Sequence, residues 1–212
     1  MTHAIRIHET GGPEKLIWES VSLPAPKAGE ALVRHKAVGL NFIDVYFRTG
    51  LYKAPSLPAI IGMEGAGVVE AVGEGVTEVA VGDRVAYATA PIGAYAEARC
   101  ITADRLVKMP DGISFEQAAG MMLQGMTAAF LIRKCYPVQA GQTVLVHAAA
   151  GGVGLIMCQW LKHLGATVIG TVSTEAKAEL ARQHGCDHVI LYTREDVAAR
   201  VREITGEGVA AV

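Results

Sequence analysis

Over roughly the first half of the chain, apolar and polar positions alternate in short runs: AIRI (4–7), ALVRHKAVGL (31–40), AGVVEAV (66–72), DRVAYAT (83–89) and AEARCIT (96–102). A period of two puts alternate side chains on opposite faces, so these runs read as half-buried strands. Turn formers separate them, at GGP (11–13), PKAG (26–29), GEG (73–75) and VGD (81–83). Gly and Pro supply the dihedrals that tight reversals require. The pattern predicts a β-rich barrel or partly open sheet over residues 1–120.

After Pro110 the period lengthens to that of a helix, beginning with Ser114-x-x-Gln117, a capping box ahead of an apolar run. A second domain, 121–212, follows. Its order is strand TVLVHA (143–148), helix (152–164), strand TVIGT (167–171), helix (174–184), strand HVILY (188–192), helix (194–205). Gly165 and Gly185 stand where helix C-caps belong. This βαβαβα order predicts an α/β fold, a parallel sheet wound with right-handed crossovers. GVAAV (208–212) reads as the start of a fourth strand. Doubly wound sheets of this class usually have about six strands in two halves, so the chain is expected to be a piece of a longer protein carrying the first half.

Composition narrows the possibilities. Hydrophobic residues make up 51% of 212 and mean hydropathy is +0.30, too apolar for a disordered chain. The apolar runs nevertheless fall short of the ~18 residues of a membrane span, and MTHAIRIHET lacks a signal-peptide core, so a cytoplasmic protein is expected. Lys+Arg 19 against Asp+Glu 21, with no basic stripe, argues against nucleic-acid or membrane-surface partners. The cysteines at 100, 135, 158 and 186 form no CxxC pair, which disfavours a disulfide framework or compact zinc lobe.

The strongest local signal is His147-Ala148-Ala149-Ala150-Gly151-Gly152-Val153-Gly154, between a predicted strand and a predicted helix. Laid on G-x-G-x-x-G, it puts Ala149 at the first glycine, Gly151 at the second and Gly154 at the third. Gly151 lets the backbone approach a pyrophosphate, Gly154 permits close packing of helix on strand, and the helix N-terminus offers unpaired N–H groups. The tip of the next strand distinguishes the two nicotinamide dinucleotides. Ser173, Thr174 and Lys177 suit a 2′-phosphate, hydroxyls donating and the lysine neutralising charge. Glu175 argues the other way, since an acidic residue there binds a free 2′-hydroxyl.

These residues resemble the zeta-crystallin-like quinone oxidoreductase branch of the medium-chain dehydrogenase/reductase superfamily, over the whole chain. Its signature runs Gly141-Gln142-x-x-Leu145, then Ala149-Ala150-Gly151-Gly152-x-Gly154, then Gln159 and Lys162, joined by NFIDVY (41–46), RTGLY (48–52), QGMTA (124–128), GTVST (170–174) and YTRED (192–196). The resemblance implies a GroES-like N-terminal domain, a Rossmann domain, and NADPH with its nicotinamide in the cleft between them. It implies that Asn41, Phe42, Asp44 and Tyr46 line that cleft and that Thr127 and Phe130 approach the nicotinamide, Phe130 standing where many relatives carry Tyr. Gly152 and Val153 would touch the pyrophosphate; Ser173, Lys177 and Tyr192 would hold the adenosine phosphate. A homodimer is expected of the full-length protein.

Zinc-dependent alcohol dehydrogenases of the same superfamily carry a Cys near the position of Asn41 and a His before the Glu of a GHE motif, which here reads Gly62-Met63-Glu64. Neither replacement supplies a thiolate or an imidazole, so no metal is expected. An acceptor reduced without a Lewis acid must already be electrophilic, as a quinone is. Tyr46 and Tyr52 are candidates to stack on it, and Asn41 and Asp44 to orient the site. Two alternatives remain open: reduction of an activated alkene by the same cofactor, and a structural or RNA-binding role.

Overall fold

In the computed structural model, which describes residues 1–212, the chain divides into two compact units, Met1–Leu123 and Gln124–Val212. The predicted alternation is realised as strands β1 (Thr2–Ile7), β3 (Glu30–Gly39), β5 (Glu64–Val72), β6 (Arg84–Ala88) and β7 (Ala98–Thr102). Sequence periodicity assigns no element to three further strands, β2 (Ile17–Val21), β4 (Ala59–Ile60) and β8 (Val107–Lys108). Nor does it assign helix α1 (Phe42–Thr49). β4 and β8 have two residues each, too short to show a period, and the pattern of β2 is blurred because Ile17 and Trp18 are both exposed.

All pairing in the first unit is antiparallel. One sheet has the order β7-β3-β5-β6-β8, the other β2-β1-β4. The β3–β5 ladder shifts register between Leu32 and Val33 and again between His35 and Ala37, irregularities of the kind that bend a sheet. Its inward positions, Ala31, Val33, Val69, Val85, Tyr87 and Ile101, share one core with Leu106. A second cluster joins Ile7, Ala59, Ile61 and Tyr95.

Helix α2 (Phe115–Phe130) begins where the capping box places it: Gln117 N–H donates to Ser114 Oγ at 3.1 Å, and Ser114 N–H to Gln117 Oε1 at 2.9 Å. Its first turns lay Ala118 and Ala119 against Ala66 and Ala86 of the five-stranded sheet. Small residues on both sides let the helix come close.

The second unit carries the parallel sheet β11-β10-β9, made of β9 (Thr143–Val146), β10 (Thr167–Val172) and β11 (His188–Leu191). The chain's last residues add to it. Leu145 N–H donates to Ala211 O at 3.0 Å and Ala210 N–H to Thr143 O at 2.8 Å, so a fourth parallel strand starts beside β9. Helices α3 (Gly152–His163) and α4 (Glu175–Gln183) contribute to a core with Val144, Val146, Val168 and Val172. Leu145, Ile169 and Ile190 point the other way, against Val197, Val201 and Ile204 of α5 (Val197–Thr205). Both faces of the sheet are thus covered, which is why its strands read as continuous apolar runs. Helix α5 begins at Val197 rather than 194, because Asp196 Oδ1 accepts the Ala199 amide and caps it there. Gly165 and Gly185 take φ of 79° and 94° at their helix ends, as expected of C-caps.

One partly buried polar group in the first unit makes its stability sensitive to pH. His35 Nδ1 lies 2.6 Å from Ala96 O and Nε2 2.8 Å from Tyr87 Oη. A carbonyl only accepts, so Nδ1 carries the proton and Nε2 receives the tyrosine hydroxyl: the neutral imidazole satisfies both bonds. Burial lowers the His35 pKa from 6.5 to about 4. The unfolded chain therefore takes up a proton first as pH falls, and the stability held above pH 6.5 drains away until pH reaches about 4. The loss amounts to roughly 3 kcal/mol. Urea unfolding followed across this interval should show a shallower pH slope for His35→Gln than for the wild type; equal slopes would exclude His35 as the source.

Candidate functional site

Between the end of β9 and the start of α3 the chain turns through residues 147–151. Ala148 adopts φ 51°, the left-handed region that a Cβ disfavours by about 1–2 kcal/mol, and it is the one non-glycine residue to do so. The strain has a structural return. It aims the Ala148 carbonyl at Gly151 N–H, 2.8 Å away, while Ala149 N–H donates to Thr171 O at 3.1 Å and ties the turn to β10. Helix α3 then starts at Gly152 with Gly151 as its N-cap, a residue with no side chain to cap the first amides. The first amides and the positive end of a helix can hold an anion.

The geometry accounts for each position of the glycine motif. A Cβ on Gly154 would overlap Ala148 O and lie 2.8 Å from Ala149 Cα, so the helix can pass this close to the turn only without one. Ala149 departs from the glycine expected first. Its methyl is fully buried and lies 2.6 Å from where a Cβ of Gly170 would stand, so the missing side chain on β10 accommodates it.

A cavity of about 410 Å³ opens over this turn. It brings together Gly151, Ser173, Lys177 and Tyr192 of the sequence-predicted residues, with His147, Ala148, Thr171 and Val197 also in its wall. Thr174 is the N-cap of α4; its Oγ1 accepts Lys177 N–H at 3.3 Å. This bond brings Lys177 back over the strand tip, where its Nζ lies 3.4 Å from Ser173 Oγ. Glu175, which argued for a free 2′-hydroxyl, is engaged elsewhere: its Oε1 accepts Arg194 Nη1 at 3.2 Å. The cavity thus presents hydroxyls and one ammonium group.

His147 and Thr171 escape sequence reasoning. His147 Nδ1 lies 3.0 Å from Thr171 Oγ1, pairing the C-terminal ends of two adjacent parallel strands, where sheets of this kind hold ligands. The available signal was position alone, since His147 immediately precedes the turn. Of the remaining predicted contacts in this unit, Gly152 and Val153 occupy the first turn of α3, while Thr127 and Phe130 lie on α2, Phe130 being 59% exposed.

In the first unit, the residues of NFIDVYFRTGLY gather around α1. Gly50 closes the helix at φ 85°, and Tyr52 N–H returns to Tyr46 O at 3.0 Å. That reversal packs Tyr46 and Tyr52 with ring centroids 5.2 Å apart, beside Phe42, 5.3 Å from Tyr46 and 73% exposed. Beneath this aromatic surface Asp44 and Asn41 are buried. Asp44 Oδ2 accepts Asn41 N–H and the Tyr95 hydroxyl, each at 2.9 Å, and Asn41 Nδ2 donates to Glu64 Oε2 at 2.6 Å. Burial raises the pKa of Asp44 although both donors oppose it. Asp44 therefore holds the base of α1, and Tyr46 and Tyr52 present the accessible surface.

Two family models match the chain: the alcohol dehydrogenase GroES-like domain over residues 27–111 and the zinc-binding dehydrogenase domain over residues 152–212. The quinone oxidoreductase of Pseudomonas aeruginosa is 54% identical over 205 residues, 97% of this chain and 63% of that protein. The structure of Escherichia coli quinone oxidoreductase complexed with NADPH superposes with a TM-score of 0.94 at 48% identity, covering 96% of this chain and 63% of that one. The chain belongs to the quinone oxidoreductase family of medium-chain dehydrogenase/reductases. A 2-haloacrylate reductase from Burkholderia is 47% identical over 97% of the chain and 63% of its own length. The chain thus spans a little under two thirds of the relatives it matches. Although one of the family models is named for zinc, no three His, Cys, Asp or Glu side chains stand together as a metal site would need. No helix is long and apolar enough to cross a membrane.

The two glycines that open α3 should respond oppositely to a methyl group. Gly154→Ala meets backbone and should cost about 1–3 kcal/mol, whereas Gly152→Ala meets only the end of the Gln124 side chain and should be neutral or slightly stabilising. Thermal unfolding midpoints of the two variants check this; equal midpoints would contradict it.

Proposed function

We propose that the protein is an NADPH-dependent quinone oxidoreductase. The observation that carries this reading is the strand tip of the cavity, where Ser173 and Lys177 face the opening and Arg194 holds Glu175. A dinucleotide bearing a 2′-phosphate fits that arrangement: Ser173 and Tyr192 would donate hydrogen bonds to the phosphate and Lys177 would neutralise it. Gly151, Gly152 and Val153, with the first-turn amides of α3, would hold the pyrophosphate, a group whose close approach the turn permits. His147 and Thr171 would border it from the strand ends. Thr127 and Phe130 of α2 are the residues proposed for the nicotinamide. NADPH, when bound, supplies the reducing equivalents.

The substrate side falls to α1 and the loop after it. Tyr46 and Tyr52, their rings inclined at 60° to one another, form an aromatic corner in which one ring would stack on a planar acceptor, and their hydroxyls would hydrogen-bond to its oxygens. Phe42 extends the apolar surface. Asn41 would orient the acceptor and Asp44, buried beneath, would fix the helix that carries these groups. The chemistry asked of the chain is positioning of an electrophile that accepts electrons readily. We place the protein in the cytoplasm, with a small-molecule quinone as partner and, at full length, a homodimeric assembly. The near-balanced charge gives no footprint for nucleic acid.

Reduction of an activated alkene is the second reading, favoured by the 47% identical relative named 2-haloacrylate reductase. Parallel assays with a benzoquinone and a 2-haloacrylate, following NADPH consumption, separate the two. Faster turnover of the haloacrylate would select the second. In the same preparation Lys177→Ala should weaken NADPH binding roughly tenfold or more while leaving NADH binding nearly unchanged, because only the former carries the extra phosphate. An equal loss for both dinucleotides would refute the assigned role of Lys177.

A further inference from the structure

Glu64 is the most deeply enclosed acidic side chain, with no exposed surface. Three elements meet at its carboxylate. Oε2 accepts Asn41 Nδ2 at 2.6 Å, and Oε1 accepts the Leu123 backbone N–H of α2 at 2.8 Å. Room is made for this by Gly39, at the end of β3: a Cβ there would overlap Glu64 Oε2 and Ala119 O. The charged group acting on it is Asp44, whose negative charge opposes that of Glu64; Asp44 in turn accepts from Tyr95, which lies near Arg48. Burial raises the pKa of Glu64, with the hydrogen bonds from Asn41 and α2 pulling the other way.

An asparagine amide has a donor end and an acceptor end of nearly equal shape, so packing alone hardly decides which way it faces. A carboxylate has no donor. Next to Glu64, Asn41 must turn Nδ2 inward, which leaves Oδ1 as the acceptor on its other side, the sense in which the side chain also caps the first turn of α1. Resting on the reading that Asn41 serves the reaction, we propose that Glu64 is a positioning residue: its carboxylate sets the orientation of the Asn41 amide and so fixes the hydrogen-bond polarity that Asn41 offers to the site.

Glu64→Gln tests this because the Leu123 amide cannot change polarity. That amide holds the oxygen of the introduced glutamine, so the glutamine NH2 must take the place of Oε2. There it opposes the Asn41 amino group, so the Asn41 amide must either draw away from residue 64 or invert and give up the Asp44 N–H that it accepts at the start of α1. The paired change Asn41→Asp with Glu64→Gln restores both features: the glutamine donates to the introduced aspartate, and an oxygen again accepts the Asp44 N–H, with the total charge unchanged. Quinone turnover by Glu64→Gln should fall roughly tenfold or more in kcat, with the KM for NADPH little altered. Its thermal midpoint at neutral pH should change little, since removing a buried charge offsets the disturbed hydrogen bonds. The double variant should recover most of the loss of turnover. In NMR spectra, the Asn41 side-chain NH2 signals should move far more in Glu64→Gln than its backbone signals do. A double variant no more active than Glu64→Gln, or unmoved side-chain signals, would overturn the proposal. If wild-type protein reduces no quinone, the functional reading fails on its own, and the side-chain signals still decide whether Glu64 orients Asn41.

Discussion

Main chain approaching main chain more closely than a Cβ allows is the constraint on which both units rest. At Gly154 it lets α3 start directly over the turn from β9, so that the first amides of the helix stand at the ends of the parallel strands. At Gly39 it lets β3 pass against α2, close enough for Glu64 to reach the Leu123 amide. At Gly67 a Cβ would overlap Arg34 O, so the β3–β5 ladder could not keep its spacing where it crosses the bulge. Interiors are packed too densely for neighbours to retreat from an added methyl.

Close approach also places polar groups where water cannot reach them, and their need for partners then dictates the local chemistry. In the first unit Asp44, Glu64, Tyr95 and Asn41 hydrogen-bond to one another around the start of the helix that carries Tyr46, although Asp44 Oδ1 is left without a partner. The result is a rigid base under accessible groups. In the second unit the cavity is edged by backbone amides, hydroxyls and Lys177, while the competing carboxylate of Glu175 is drawn off by Arg194. A salt bridge this exposed contributes little stability; its effect is on where a charge points.

Much of the second unit was legible in the chain because its signals are local. The 3.6-residue period, the caps Gly165 and Gly185, and the glycines of the turn act within a few residues of themselves, and the caps and the turn stand in the structure where the sequence put them. The first unit was less legible. Helix α1 is eight residues long and carries aromatic and β-branched residues that alternation-based reading does not class as helical. What forms it is a set of contacts at its ends, Asn41 with Asp44 at the start and Gly50 at the close. β4 and β8 exist only as partners of β1 and β6.

Residue types and their spacing alone determined the α/β class, the glycine-rich turn between strand and helix, the hydroxyls and lysine at the strand tip, and the family to which these motifs belong. Periodicity and capping are properties of neighbouring residues, so no distant contact is needed to read them. Only the tertiary structure decided that Gly170 excuses Ala149 from being glycine, that Arg194 occupies Glu175, that His147 joins the cavity, and that Glu64 faces Asn41. Each of these pairs residues well separated along the chain, and what they do depends on a distance that the folded sheet sets.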